Sequence, residues 1–411
     1  MKKALVFFGK TIAILLSFSV VAFIGLKIYF FANSGDEELL DNSHLVFETI
    51  NIPDEKNGWF ELKKAGEKMH YPEDKSELIT EMVNGEAWDQ KLVDELVEKN
   101  QEALEYFNKS AEYDFIVNPS RNNLSTENLN FDTVFESIPF YRNINKLNLI
   151  LAKNEIKRNN LDRGISRFIS SISVSYKIAD KNILFIEYLL TLSVNTHNHS
   201  AISNTLNEIS LRKDESIILQ RELEKNKENL AYVFKGEFWN TANSFQSMYK
   251  SEDLSETEKE FIAKNLSNKS NFYLKPNKHL NALNKIATRN VENSYRSCNN
   301  LIPFETVDSI RYENPLSLFF TENAISKILI RLTSVNLDSI HKKRCAEDFD
   351  ILALQVKLAA NAFRNDNKRY PNDVEEIKKD GYLVAETPDS INGWDLKYDK
   401  SKGELINLSE L

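Results

Sequence analysis

Glycine and proline are scarce in this chain, at 11 and 9 of 411 residues, and cysteine occurs only twice. Together Gly and Pro fall well below their usual share of roughly one residue in eight. The closest two glycines, Gly58 and Gly66, lie eight positions apart. A Walker A loop and a dinucleotide-binding fingerprint both need glycines closer than that, because backbone must approach phosphate. Neither can be written here, and a GxSxG nucleophile elbow fails for the same reason. No cofactor is expected. Turn-rich β-sandwiches and barrels need Gly and Pro at their corners, so the scarcity also favours long helices. HExxH is absent, and His197-x-His199 is the one close histidine pair. Helical metal ligands stand four apart, whereas a spacing of two suits a strand or loop. The run Asn195–Ser200 reads as an exposed turn after a buried helix, and no metal site is expected there.

The N-terminus carries the clearest signal. Thr11 to Leu26 holds no charge, and after Lys27 the run resumes as Ile28-Tyr29-Phe30-Phe31. Residues 11–31 would make a helix about 31 Å long, enough to cross a bilayer core. Lys27 can extend its ammonium to the interface, and the aromatic residues suit an interfacial belt. A cleaved signal peptide is the competing reading. The apolar run is longer than a usual h-region and no small-x-small site follows, so an uncleaved anchor is preferred. Lys2, Lys3 and Lys10 precede the run, and Asp36, Glu37 and Glu38 follow it. The positive-inside rule then leaves residues 1–10 in the cytoplasm and the bulk in the periplasm or on the extracellular face. Beyond the anchor, 48 basic side chains face 61 acidic ones. No basic stripe stands out, and nucleic acid is not an expected partner. In an oxidising compartment Cys298 and Cys345 are candidates for a disulfide, with two separate buried thiols as the alternative.

Residues 32–50 read as a short polar tether, and residues 51–345 as a helical body. Asp89 is placed to cap a helix, with Trp88 and Val93 as its hydrophobic staple. Further helices are expected near 132–158, 161–180, 201–212, 214–235, 255–267, 278–297 and 316–340. Nine of the twelve residues from Ile183 to Val194 are apolar. That run is too short to span a membrane and reads as the central buried helix of a bundle. Asparagine, a mediocre helix former, accounts for 46 residues. We read that abundance as codon bias in an AT-rich genome rather than as chemistry. Residues 346–411 change character. A strongly apolar helix spans Phe349 to Phe363, and Asn372 with Glu375 fits a capping box for a short helix ending at Gly381. Two strands, Asp395–Asp399 and Glu404–Leu408, then flank a Lys400–Gly403 turn, with Trp394, Leu396 and Tyr398 on one face. The fold class expected is mainly α: a transmembrane helix, a periplasmic helical bundle or array, and a small helix-plus-hairpin module.

The stretch from Leu352 to Tyr398 includes Ala-Phe-Arg-Asn-Asp-Asn-Lys-Arg-Tyr-Pro, Gly-Tyr-Leu and Pro-Asp-Ser-Ile-Asn-Gly-Trp-Asp-Leu-Lys-Tyr. It resembles the C-terminal module of type II secretion pseudopilins. Nearly the whole ectodomain is similar to a family of uncharacterised single-pass bacterial envelope proteins. Ile52-Pro-Asp-Glu-Lys-Asn-Gly-Trp-Phe60, Trp88-Asp89 and Asn314-Pro315 carry that likeness. The resemblance implies architecture and no particular activity. A pseudopilin's processing site is missing: Lys10 follows Gly9, and Ile14 stands where a glutamate belongs. Major pseudopilins bind calcium in a C-terminal loop. Asp389, Asp395 and Asp399 can mimic that set, although acids around a turn are more often solvated.

Glu187 is a single carboxyl in an apolar helix. It reads either as a general acid in a pocket or as a side chain reaching solvent or a Lys/Arg partner, and the second is preferred. The dense cluster Phe234-Lys-Gly-Glu-Phe-Trp239 reads as core packing before a ligand groove. We therefore expect a membrane-anchored periplasmic protein, more scaffold or interaction protein than enzyme, with envelope proteins as partners. The alternatives are an envelope hydrolase with carboxylate chemistry, and an accessory of a secretion or pilus system.

Overall fold

A computed structural model describes residues 19–30, 35–48, 51–122, 124–127, 129, 139–180, 184–224, 230–250, 275–303, 323–388, 390–391 and 394–407. The molecule is mainly helical, with a small three-stranded antiparallel sheet at its C-terminal end. Residues 19–30 are helical. Residues 11–18 and 31 of the expected anchor lie outside the described residues, and among those described no helix is long and apolar enough to cross a membrane.

The chain divides into two compact units, one of residues 1–46, 240–289 and 303–339, the other of 47–239, 290–302 and 340–411. In the second unit the helices run α1 (Trp59–Lys68), α2 (Ser76–Asn84), α3 (Gln90–Ser110), α4 (Pro139–Lys157), α5 (Leu161–Ala179), α6 (Phe185–Thr205) and α7 (Lys213–Glu224). Helix α8 (Leu230–Lys250), α9 (Pro276–Ser294) and α10 (Ala324–Asn367) follow, then α11 (Val374–Lys379). The strands are β1 (Ser390–Ile391), β2 (Trp394–Asp399) and β3 (Glu404–Asn407), in the order β1-β2-β3.

The body of the second unit packs Leu62, Met82, Leu96, Phe107, Ile144, Phe168 and Ile172 into one core with Leu354 and Leu358 of α10. Asp89 caps α3, its Oδ1 accepting the Leu92 amide at 3.1 Å. Helices α4 and α5 approach closely at Gly164, where a Cβ would lie 2.9 Å from the Ala152 carbonyl oxygen. A second core joins Phe349, Val356, Ala359 and Phe363 of α10 to Ile377, Leu383, Ile391 and Leu405 of the tail.

Several elements differ from expectation. The helix expected near 201–212 is instead the end of α6, and residues 206–212 are turn and loop. The polar face caps that loop: Asn361 accepts from the Leu211 amide at 2.8 Å and donates to the carbonyls of Leu206 and Ile209, both at 2.9 Å. The expected boundary at 345/346 falls inside the continuous helix α10. The tail is bound to the body by Gln220, which donates to the Tyr382 carbonyl at 2.8 Å and accepts from the Val384 amide at 2.9 Å. The capping box of α11 sits one residue later than expected. Asp373 accepts from Glu376 N at 2.8 Å, and the Glu376 carboxylate accepts from Asn372 N at 2.7 Å. Arg369 also pairs with Glu376 at 2.5 Å, and these bonds hold its carboxyl down at about 2. In the hairpin, Tyr398 pairs with Leu405 and Asp399 with Glu404. Leu396 and Tyr398 share the half-buried face, while the Trp394 side chain lies outside the described residues.

In the first unit the expected tether is not free. Asp36 accepts the amides of Asn277 and Lys278 at 2.7 and 3.1 Å, capping the N-terminus of α9. Asn281 donates to the Glu38 carbonyl at 2.7 Å, Asn284 to that of Asp41 at 3.1 Å, and His44 meets Thr288 at 2.6 Å. Spacings of three and four put these acceptors and donors on one helix face. The helix expected near 255–267 lies outside the described residues.

Candidate functional site

Helix α6 fits its expected role only in part. Ile186 is 68% exposed and Leu189, Leu190 and Leu192 are half-buried, while Glu187, Thr191, Asn195, Asn198 and His199 are buried. The expected central apolar helix therefore buries a mixed face, with Tyr188, Val194 and Ile202 packed in beside these polar side chains. Only its neighbours explain this. Helices α4 and α5 present Asn145, Ser171 and Ser175 to it, all buried. Asn145 donates to Asn198 at 2.8 Å, Asn198 to the Ser171 carbonyl at 3.3 Å, and Ser175 to Asn195. Asn195 in turn donates to Glu347 of α10 at 2.5 Å. Asparagine, read from composition as bias, here builds a buried polar seam. An amide both donates and accepts, so Asn195 and Asn198 each join two neighbours without adding charge.

Above that seam, α6 and α10 flank an open groove with two adjoining cavities of about 330 and 300 Å³. Thr196, His199 and Asp350 line both. Ser193, Thr196, Ser200 and Ser203 stand at spacings of three and four on α6, and so share one face. Across from them α10 supplies Lys343, Glu347, Asp350 and Lys357, and β3 supplies Glu404 and Leu405. Lys357 is held by Glu404 at 2.6 Å and by Ser203 at 3.1 Å. His199 is only 7% exposed, and burial pushes its imidazole down to about 4. His197 faces its own helix, its Nδ1 2.7 Å from the Ser193 carbonyl oxygen, with burial again lowering its pKa. The pair is thus in mid-helix rather than in an exposed turn. No set of three His, Cys, Asp or Glu side chains able to hold a metal occurs among the described residues.

The other sequence candidates fall elsewhere. Glu187 is 2% exposed and ion-paired with Arg121, whose guanidinium burial lowers to about 10. Arg121 comes from a short turn after Pro119, far in sequence, so nothing local to Glu187 pointed to it. Cys298 and Cys345 are joined in a disulfide with their Cα atoms 5.8 Å apart. The Arg344 guanidinium braces that corner, donating to the carbonyls of Asn293, Ser294 and Arg296 at 3.0 to 3.2 Å. The Asp399 carboxylate is engaged by its own turn, accepting from the Ser401 amide at 2.9 Å and its hydroxyl at 2.6 Å. Those bonds lower its pKa. Asp395 is exposed, and Asp389 lies outside the described residues. Phe234 and Phe238 are buried, with Phe234 stacked on His341 at 4.9 Å and edge-on to Phe185 at 5.3 Å. That cluster is packing.

The groove is the feature that sequence reading missed. Its signal was present in the hydroxyl stripe from Ser193 to Ser203, but its partner wall on α10 is 150 residues away. No protein-family model matches the chain, and no curated protein or solved structure resembles it closely enough to count as a match.

Proposed function

We propose that this is a membrane-anchored bacterial envelope protein whose folded part lies on the periplasmic or extracellular face and works by binding rather than catalysis. The observation that carries the location is the Cys298–Cys345 disulfide, since such bonds persist in oxidising compartments. It agrees with the charge asymmetry around residues 11–31, with lysines before the run and acids after it. A binding role is supported by the groove along α6 and by the sealing of Glu187 under Arg121, which withdraws the carboxyl singled out as a possible acid.

Intact cells and a membrane-impermeant maleimide test the location. Both thiols should label only after reduction, and the protein should resist carbonate extraction from membranes. Thiols labelled in cells without a reductant, or full-length protein released by carbonate, would reject it. For the binding role, crosslinking in cells should return the same partners reproducibly, and loss of every partner on repetition would count against it.

A further inference from the structure

The groove holds an unusual group. His199 is more than nine-tenths buried, yet its imidazole lines both cavities and, among the described residues, neither ring nitrogen has a hydrogen-bond partner. Facing an open groove, those nitrogens are accessible to a bound molecule. A neutral imidazole offers one donor and one acceptor, so its natural complement also has one of each. Of the hydroxyls beside it, Thr196 donates to the Leu192 carbonyl and so offers acceptor sites, while Ser200 and Ser203 accept from Asn204 and Lys357 and keep an O–H to donate.

Charge narrows the class of ligand. The ionised side chains lining the two cavities are Lys343 and Lys357 against Glu347, Asp350 and Glu404. Lys357 is already neutralised by Glu404, and Glu347 already accepts from Asn195. The balance is one negative charge, which disfavours a phosphate or a carboxylate. An extended peptide is also a poor fit. The two long walls are helices whose backbone is satisfied internally, and of the edge strand β3 only Glu404 and Leu405 reach the groove, too short a stretch to pair with an added strand. The apolar part of the lining is Leu189, Leu192, Ala346, Ala353, Leu354 and Leu405. Hydroxyl donors and acceptors over an apolar floor match a molecule with hydroxyls at its rim and C–H bonds on its face. Each cavity lies at the small end of ligand sites, room for one ring.

We infer that the groove between α6 and α10 is a binding site for a small neutral saccharide, with His199, Thr196, Ser200 and Asp350 as its hydrogen-bonding residues. One ring occupies each cavity, and His199 bridges the two. This goes beyond the envelope reading above and stands independently of it, because binding is read on the purified chain wherever it resides.

The full-length protein in detergent, ¹³C-labelled at the histidine Cε1 position, is titrated to millimolar glucose, N-acetylglucosamine and maltose. Saturation-transfer NMR reports the ligand side. At least one sugar should saturate, moving the His199 Cε1–Hε1 resonance, identified by its loss in His199→Phe. His199→Phe should weaken that sugar by about tenfold. Inorganic phosphate and trialanine should show no saturable transfer. If His199→Phe does not fold by circular dichroism, Thr196→Val and Ser200→Val, at exposed and half-buried positions, should each weaken the sugar several-fold. No saturation with any sugar, an unmoved His199 resonance, or saturable phosphate or trialanine in place of a sugar would overturn the proposal.

Discussion

The fate of a buried ionisable side chain depends on whether a partner reaches it, and this protein shows both outcomes. Among the described residues His199 has no hydrogen-bond partner, and burial holds it neutral. Its folded pKa of about 4 lies below the roughly 6.5 of an unfolded chain, so the native state rejects the proton. Its contribution to stability is complete above pH 6.5 and is lost as pH falls through about 4. A shift of that size is worth about 3 kcal/mol. Urea unfolding should therefore give a smaller stability near pH 4 than at neutral pH. His199→Phe should reduce that difference without abolishing it, because His279, also lowered to about 4, acts with the same sign. Glu187 does have a partner, Arg121. Glu187→Gln would leave a guanidinium buried without its counter-charge and should destabilise by about 3–5 kcal/mol in denaturant melts. Replacing both residues together, Glu187→Leu with Arg121→Met, should recover most of that loss. Full additivity of the two single changes would show the pair to be uncoupled.

At the level of elements, the local signals were readable and the shared ones were not. The capped start of α3 was legible because Asp89 and its staple act within one turn. Asp89→Ala should cost about 1 kcal/mol of thermal or chemical stability. The β2–β3 hairpin was legible because alternation and a Gly turn are also local. Gly403 has a positive φ of 70°, and a Cβ there would meet the Tyr370 ring at 2.6 Å. Gly403→Ala should cost at least the roughly 1–2 kcal/mol of a left-handed non-glycine residue, and should alter the near-ultraviolet signal of Tyr370. The cap of α11 was displaced by one position because Asn372, Asp373, Glu375 and Glu376 offer two overlapping boxes. Arg369 settles the choice by pairing with Glu376. Helix α6 was misread in part: Tyr188 and Val194 are buried as expected, but Glu187, Thr191 and Asn195 are buried beside them while Ile186 is exposed. An apolar count predicts which side is buried only when the neighbouring faces are apolar too, and those of α4 and α5 are lined with Asn and Ser.

Taken as a whole, the second unit is not a body with a detachable tail. Leu354 and Leu358 of α10 belong to the main core, and Gln220 and Asn361 tie body and tail backbone together. Deleting residues 346–411 should therefore leave the remainder without cooperative unfolding, as circular dichroism melts would show. A remnant with an unchanged transition would mean the tail is a separate module. The Cys298–Cys345 bond closes a loop with a sequence separation of 47. In the chain-entropy model its reduction should cost at most about 4 kcal/mol, measured as a fall in urea midpoint with reductant. The Cys298 segment also reaches β1, Asn299 donating to the Ser390 carbonyl at 3.0 Å. Reduction should therefore raise amide exchange around Ser390 before that of α3.

By itself the sequence determined the helical class, the exclusion of glycine-built nucleotide loops, the capped start of α3 and the C-terminal hairpin. Each follows from interactions spanning a few residues, or from composition. Only the tertiary structure decided which face of α6 is buried, that Arg121 meets Glu187, and that α6 and α10 enclose a groove around His199. Those outcomes depend on side chains tens to hundreds of residues apart. Glycine scarcity links the two levels. A chain with few turns builds long helices, and the surfaces between long helices are where its polar seam and its groove arise.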